Sequence, residues 1–206
     1  MLDRVWRPGR TRRRRSRGQS LVEFAIIVPL FLFLLMTLIE YAFAFNSILS
    51  ADYATRDAAL LAAEAGNNAN ADCVILTKID QDMAPPTDRS RIQEVWIYRS
   101  DEVGNPIGGA LNPWSAPTSQ KYTRGGSDCG YTKAVDNWPP EDRCNILNGE
   151  TCPYGQTGVD HVGVRVVYNY MPHTPMAMPF LGLVLEIRGT QFIVIKSNVM
   201  RMEPVL

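Results

Sequence analysis

An apolar run standing directly behind a cluster of arginines limits what this chain can fold into more than any other feature. Residues 24–39 carry no charge, and after Glu40 the run resumes through Tyr41-Ala42-Phe43-Ala44-Phe45, 22 residues in all. A helix of that length rises about 33 Å, enough to cross a hydrocarbon core of about 30 Å. Eight arginines precede it: Arg4, Arg7, Arg10, Arg12, Arg13, Arg14, Arg15 and Arg17. Lys and Arg are retained on the cytoplasmic side of membranes, so this leader predicts a single-pass protein of the cell membrane with its N-terminus in the cytoplasm. Everything after about Asn46 is then extracytoplasmic.

The formal net charge of zero conceals the asymmetry. From Gln19 onward there are 13 basic residues against 20 acidic ones, a charge of about −7. An arginine run can neutralise nucleic-acid phosphates, but here the apolar stretch follows at once, so membrane lipid is the expected partner and nucleic acid is not. Two other membrane-targeting readings compete. A cleaved secretory signal would use Ala42-Phe43-Ala44 as its small-x-small site, but the apolar core exceeds the usual 7 to 15 residues and the helical pattern runs through that site. A twin-arginine signal could be drawn from Arg12 to Arg15, without a matching pattern downstream.

The junction itself reads Arg17-Gly18-Gln19-Ser20-Leu21-Val22-Glu23-Phe24. A glycine, four spacers and a carboxylate open the apolar run. This resembles the site cut by prepilin peptidases, in which glycine ends the leader and glutamate is the fifth mature residue; here those are Gly18 and Glu23, with cleavage before Gln19. Glycine has no side chain to obstruct a protease working at the membrane surface, and cleavage would create an α-amine at Gln19 with a pKa around 8. A carboxylate at the edge of a membrane helix is expensive without a partner, and the resemblance implies that Glu23 pairs with the N-terminal amine of a neighbouring subunit. The plainer role for Glu23 is an S-x-x-E capping box with Ser20. Pro29 lies too deep to be a first-turn proline and marks a kink or a packing site in the membrane. Glu40, near the outer end of the run, reads as a carboxyl that snorkels to the headgroups.

Residues 18–45, with Gly18, Val22-Glu23-Phe24-Ala25, Pro29-Leu30 and Glu40-Tyr41, are similar to the N-terminal signature of the TadE-like family of the Tad (tight adherence) pilus system. The end of the chain, Ser197 to Pro204, also has the look of that family. The resemblance implies a low-abundance pseudopilin, processed by a prepilin peptidase and working with other pilin or pseudopilin subunits and the Tad inner-membrane platform. Major pilins of this system are much shorter, which argues against a bulk fibre subunit. A permanently anchored, non-enzymatic surface binding domain is the alternative.

The expected organisation is a basic leader (1–18), a transmembrane helix (19–45) and an exported pilin-like domain (46–206). Ile48, Ala51, Ala54 or Thr55, Ala58 and Ala62 recur on one face of a continuing helical stem, which Gly66-Asn67-Asn68 ends. Asp72 is placed to cap a second helix carrying Val74, Leu76, Ile79 and Met83, closed by Pro85-Pro86. Ile92 to Arg99 reads as a strand with turns at Gly104-Asn105-Pro106 and Gly108-Gly109, its return strand poorly marked. Val162, Val164, Val166 and Tyr168 alternate on one face of a strand from His161 to Tyr170, and Arg188 to Met202 is expected to pair with it antiparallel. The fold class is therefore α+β: a long N-terminal helix packed on a small antiparallel sheet of three to four strands.

Cys73, Cys129, Cys144 and Cys152 all fall outside the membrane in this orientation, where disulfides form. Four cysteines allow three pairings. The short Cys144–Cys152 loop favours joining those two and leaving Cys73 with Cys129, stapling a stretch from 100 to 160 with little regular structure. No C-x-x-C or Cys/His spacing favours zinc. Met171, His173, Met176 and Met178 resemble soft Cu(I) ligands, though a packing loop from Met171 to Gly182 is the simpler account; no cofactor and no metal are expected. G-x-S-x-G, H-E-x-x-H and phosphate-loop patterns are missing. His161 beside Asp160 and the Glu141-Asp142 pair are weak acid/base candidates, and the chain is not expected to be an enzyme.

Overall fold

The computed structural model describes residues 18–111, 118–146, 152, 158–173, 186–188 and 191–204. Helix α1 (Gln19–Ala65) is followed by α2 (Ala71–Asp82), a 3-10 turn (Arg89–Arg91) and strands β1 (Ile92–Ser100), β2 (Ser119–Asp128) and β3 (Tyr131–Asp136). A second 3-10 turn (Pro140–Asp142) leads to β4 (His161–Tyr170), β5 (Glu186–Arg188) and β6 (Gln191–Arg201). The class is α+β, as expected. The strands form one antiparallel sheet in the order β3-β2-β1-β4-β6-β5.

The chain divides into two compact units, with the boundary between Ile39 and Glu40. Residues 19–39 of α1 are almost all exposed, Leu21, Phe24, Ile26, Leu30 and Leu38 among them. At Glu40 the pattern changes. From there a stripe of Glu40, Ala44, Ser47, Ala51, Ala54, Thr55, Ala58, Ala59, Ala62 and Ala63 is buried, close to the face read from the sequence. Alanine's small side chain lets the helix lie close to the sheet, whose facing side supplies Val95, Ile97, Val162, Val164, Val166, Tyr168 and Val194. At about 1.5 to 3 kcal/mol for each fully buried Val or Ile, this valine-rich face is a principal contribution to the fold.

Gly66 ends α1 in the left-handed conformation (φ 58°), with its N–H donating to the Ala62 carbonyl at 3.3 Å. The α2 helix contributes Ile75, Leu76, Ile79 and Met83 to the same core, while Val74 faces outward. Its cap position is Asn70, and Asp72 lies inside the first turn; the capping role read for Asp72 is therefore replaced by a tertiary one, described below. Pairing of β4 with β6 follows the expectation, His161 opposite Arg201 through to Tyr170 opposite Phe192. Gly163 sits under the ring of Tyr98, where an added Cβ would collide with it.

The sheet exceeds the three to four strands expected. Return strand β2 begins at Ser119, and with β3 it brings regular structure to part of the stretch between 100 and 160 that was read as largely irregular. Its buried residues include Ser119, Gln120 and Lys121, so it offers no apolar alternation. Lys121 Nζ instead reaches Glu94 at 2.6 Å and Gln120 Nε2 donates to Asp136 at 2.7 Å. These bonds let polar side chains be buried at moderate cost.

Candidate functional site

The helix begins at Gln19, and the Gly18 carbonyl accepts from the Val22 N–H at 3.2 Å. Ser20 thus lies within the first turn rather than at the cap, and the Ser20/Glu23 box gives way to a different contact: Gln19 Nε2 donates to Glu23 Oε1 at 3.0 Å, in the open. Gly18 does not have a left-handed backbone, and a Cβ placed on it would meet nothing within 4 Å. Among the described residues neither backbone conformation nor packing calls for glycine at this position. Pro29 lies inside α1, where its missing N–H leaves the Ala25 carbonyl without its helical donor.

The Glu40 side chain is 0% exposed, which overturns its reading as a snorkelling carboxyl. The Tyr170 hydroxyl donates to it, and the His173 backbone N–H donates to both of its oxygens at 2.9 and 3.1 Å. The His173 ring stacks on Phe43, centroids 4.6 Å apart. Burial, and then the hydrogen bond to Glu40, push the Tyr170 phenol pKa up, because both disfavour a phenolate.

The same device recurs twice on α2. Tyr122 donates to Asp72 Oδ2 at 2.6 Å, and Tyr131 donates to Asp80 Oδ1 at 2.7 Å. Arg143, fully buried, pairs with Asp72, donates to Gln120 at 3.2 Å and lies over the Trp138 ring. Sequence reasoning missed all three carboxylate–tyrosine contacts. Beside the Asp72 cluster opens a cleft of about 390 Å³, lined among others by Asp72, Tyr122, Asp128, Lys133 and Asp136.

Asp160 is committed elsewhere than to His161. It accepts from Arg99 Nε at 2.7 Å and from the Cys144 N–H at 2.8 Å, while His161 starts β4, paired in the ladders with Ser100 and Arg201. Glu141 and Asp142 form part of the second 3-10 turn, after Pro139. The cysteines are joined as Cys73–Cys129 and Cys144–Cys152, the pairing favoured by loop length. The first bridge ties α2 to the β2–β3 turn, where Cys129 has a φ of 55°. Of the Met/His loop, Met171 and His173 are described; Met176 and Met178 lie outside the described residues. Among the described residues no three His, Cys, Asp or Glu side chains converge as metal ligands would.

These features define a class: an α+β domain closed by two disulfides, entered through a helix whose N-terminal part is long and apolar enough to cross a membrane. Residues 18–60 match the family model described as TadE-like protein. The matched stretch opens on Gly18 and ends within α1, bearing out the resemblance carried by residues 18–45, and a TadE-like match implies a protein associated with a Tad pilus. No curated protein and no solved structure matches the chain.

Proposed function

We propose that this chain is a minor pseudopilin-like subunit for assembly of a Tad-type adhesive pilus. A prepilin peptidase removes residues 1–18, the new amine of Gln19 and the Glu23 carboxylate serve subunit pairing, and the disulfide-bonded domain lies outside the cytoplasm. Its role is structural rather than catalytic, exercised with other pilin or pseudopilin subunits and the inner-membrane platform. The observation that carries this reading is Gly18, a glycine that nothing among the described residues requires and at which the TadE-like match begins, five residues ahead of Glu23. The two disulfides support an oxidising, extracytoplasmic location.

The test is the N-terminal residue of the membrane-extracted protein, co-expressed with a prepilin peptidase and read by mass spectrometry. We expect a start at Gln19, and retention of the leader in Gly18→Leu. The open space around Gly18 makes that substitution harmless to the fold, so retention would report on the peptidase. An intact leader in the parent chain would favour a permanently anchored binding domain, and a start at Phe45 would mean a secreted protein.

A further inference from the structure

The two disulfides meet solvent differently. Cys144 and Cys152 are 2% and 5% exposed, whereas Cys73 and Cys129 are partly exposed, and both line the cleft of about 390 Å³ beside Asp72. Cys73 also lines a second opening, of about 260 Å³, together with Leu61, Val74 and Lys78. We infer that Cys73–Cys129 is an exchange site, opened and remade by the dithiol of a thiol–disulfide oxidoreductase that reaches it through the cleft, and that Cys144–Cys152 is a static tie.

The place of each sulfur sets the direction of exchange. Cys73 stands in the first turn of α2, where unpaired backbone N–H groups and the helix dipole stabilise a thiolate. Asp72 beside it does not cancel this, because its carboxylate is bound by Arg143 and Tyr122. Cys129 stands in the turn between β2 and β3 with a φ of 55°, followed by Gly130 at 88°, a left-handed conformation that a non-glycine residue adopts only at a cost. A sulfur leaves more readily the lower its thiol pKa. An incoming thiolate therefore bonds to Cys129 Sγ, the bond between the two cysteines breaks, and the electron pair leaves on Cys73 Sγ. The second thiol of the reductant, as its thiolate, then attacks the reductant's own sulfur in the mixed disulfide and releases the Cys129 thiolate. The dithiol gives up two electrons and two protons, and the bridge takes them up as two thiols.

Reduction leaves the helix and the hairpin in place. Tyr122 on Asp72, and Tyr131 and Arg124 on Asp80, tie α2 to β2 and β3 without the bridge. The two thiols stay opposite one another, and the same bond reforms. The cleft also selects its reagent. Asp128 and Glu141 line it, are exposed and have no ion pair among the described residues, while Lys133 is engaged by Asp136 at 3.2 Å. An anionic thiol such as glutathione is repelled there, and a protein thiol on a neutral or basic face is admitted.

The experiment treats the full, detergent-extracted chain with dithiothreitol under native conditions, traps free thiols with iodoacetamide at intervals and locates them by peptide mass spectrometry. We expect Cys73 and Cys129 to be alkylated about tenfold sooner than Cys144 and Cys152, with the near-ultraviolet circular dichroism kept and the bridge restored once the reductant is removed. Equal rates for the two bridges, or earlier opening of Cys144–Cys152, overturn the exchange site. Loss of the folded signal as Cys73–Cys129 opens overturns its reversible use. A brief reaction with glutathione, trapped at once, should leave the adduct on Cys129 and the free thiol at Cys73; the reverse placement refutes the direction of attack. In Asp128→Asn/Glu141→Gln the glutathione rate should rise about threefold at low salt, and the dithiothreitol rate at equal thiolate concentration should change less. An unchanged glutathione rate refutes selection by charge.

Discussion

Replacing Glu40 by alanine tests whether its carboxylate is a structural tie or a solvated surface group. In the substituted protein the His173 N–H, at the exposed edge, finds water. The Tyr170 hydroxyl, in a side chain 2% exposed, loses its carboxylate acceptor in the core and keeps only a long bond, 3.4 Å, to the backbone carbonyl of residue 40. A poorly satisfied buried donor costs about 1 to 3 kcal/mol at most, and loss of the one buried methylene, Cγ, adds about 0.8 kcal/mol. Relief of the desolvated carboxylate returns part of this, leaving a destabilisation of about 1 to 3 kcal/mol. For a domain of 150 to 250 residues each kcal/mol shifts the melting temperature by about 2 to 4 °C, so a fall of about 2 to 12 °C is expected. The assay is thermal unfolding of the detergent-extracted protein, followed by near-ultraviolet circular dichroism. A companion substitution separates the mechanism from general damage: Tyr170→Phe in the Glu40→Ala background removes the stranded hydroxyl and should be less destabilising than the sum of the two single changes. Were Glu40 in contact with headgroups or water, Glu40→Ala would melt with the parent protein, and that result would refute the argument.

The disulfides should differ in weight. Cys73–Cys129 spans 56 residues and Cys144–Cys152 spans 8; in the chain-entropy account these loops contribute about 4 and about 2.5 kcal/mol, so the Cys73→Ala/Cys129→Ala protein should unfold at lower urea than Cys144→Ala/Cys152→Ala, and the reverse order would contradict it. Burial pushes the Glu94 carboxyl up, but hydrogen bonds from Lys121 and Trp96 outweigh it and hold its pKa below the ordinary value. A lowered folded-state pKa stabilises above the unfolded value of about 4.3 and is lost as pH falls through the folded one. The stability difference between the parent and Glu94→Gln should therefore be present at pH 7 and shrink below about pH 4; urea titrations giving the same difference at pH 7 and pH 2.5 would contradict it.

Elements built on apolar period were legible from the chain alone. The alanine stripe of α1, the alternation of Val162, Val164, Val166 and Tyr168, and the pairing of β4 with β6 needed only local pattern and an antiparallel partner. Strand β2 was illegible for a physical reason: Gln120 and Lys121 are buried because Asp136 and Glu94 wait on adjacent strands, and nothing within β2 discloses them. The spacing from Gly18 to Glu23 was visible because it is local, and among the described residues a Cβ on Gly18 would meet nothing within 4 Å.

The acids on the helices were misread for one shared reason. Local logic sends a helix carboxylate to solvent, to a headgroup or to a cap, and so assigned Glu40 and Asp72. Their partners come from 130 and 50 residues away, as the hydroxyls of Tyr170 and Tyr122, while Tyr131 reaches Asp80 from 51 residues away. Each pair joins a helix to the sheet at one point, and the three fall on β4, β2 and β3. Apolar contacts between alanine and valine faces are tolerant of small slides, because they are non-directional. A hydroxyl on a buried carboxylate is not, since its geometry is narrow. The three tyrosines therefore set the position of α1 and α2 on the sheet, and the nearest signal in the sequence is an acid at a helix position whose neighbours at i+4 and i+7 are core residues: Glu40 stands at that spacing from Ala44 and Ser47, and Asp72 from Leu76 and Ile79.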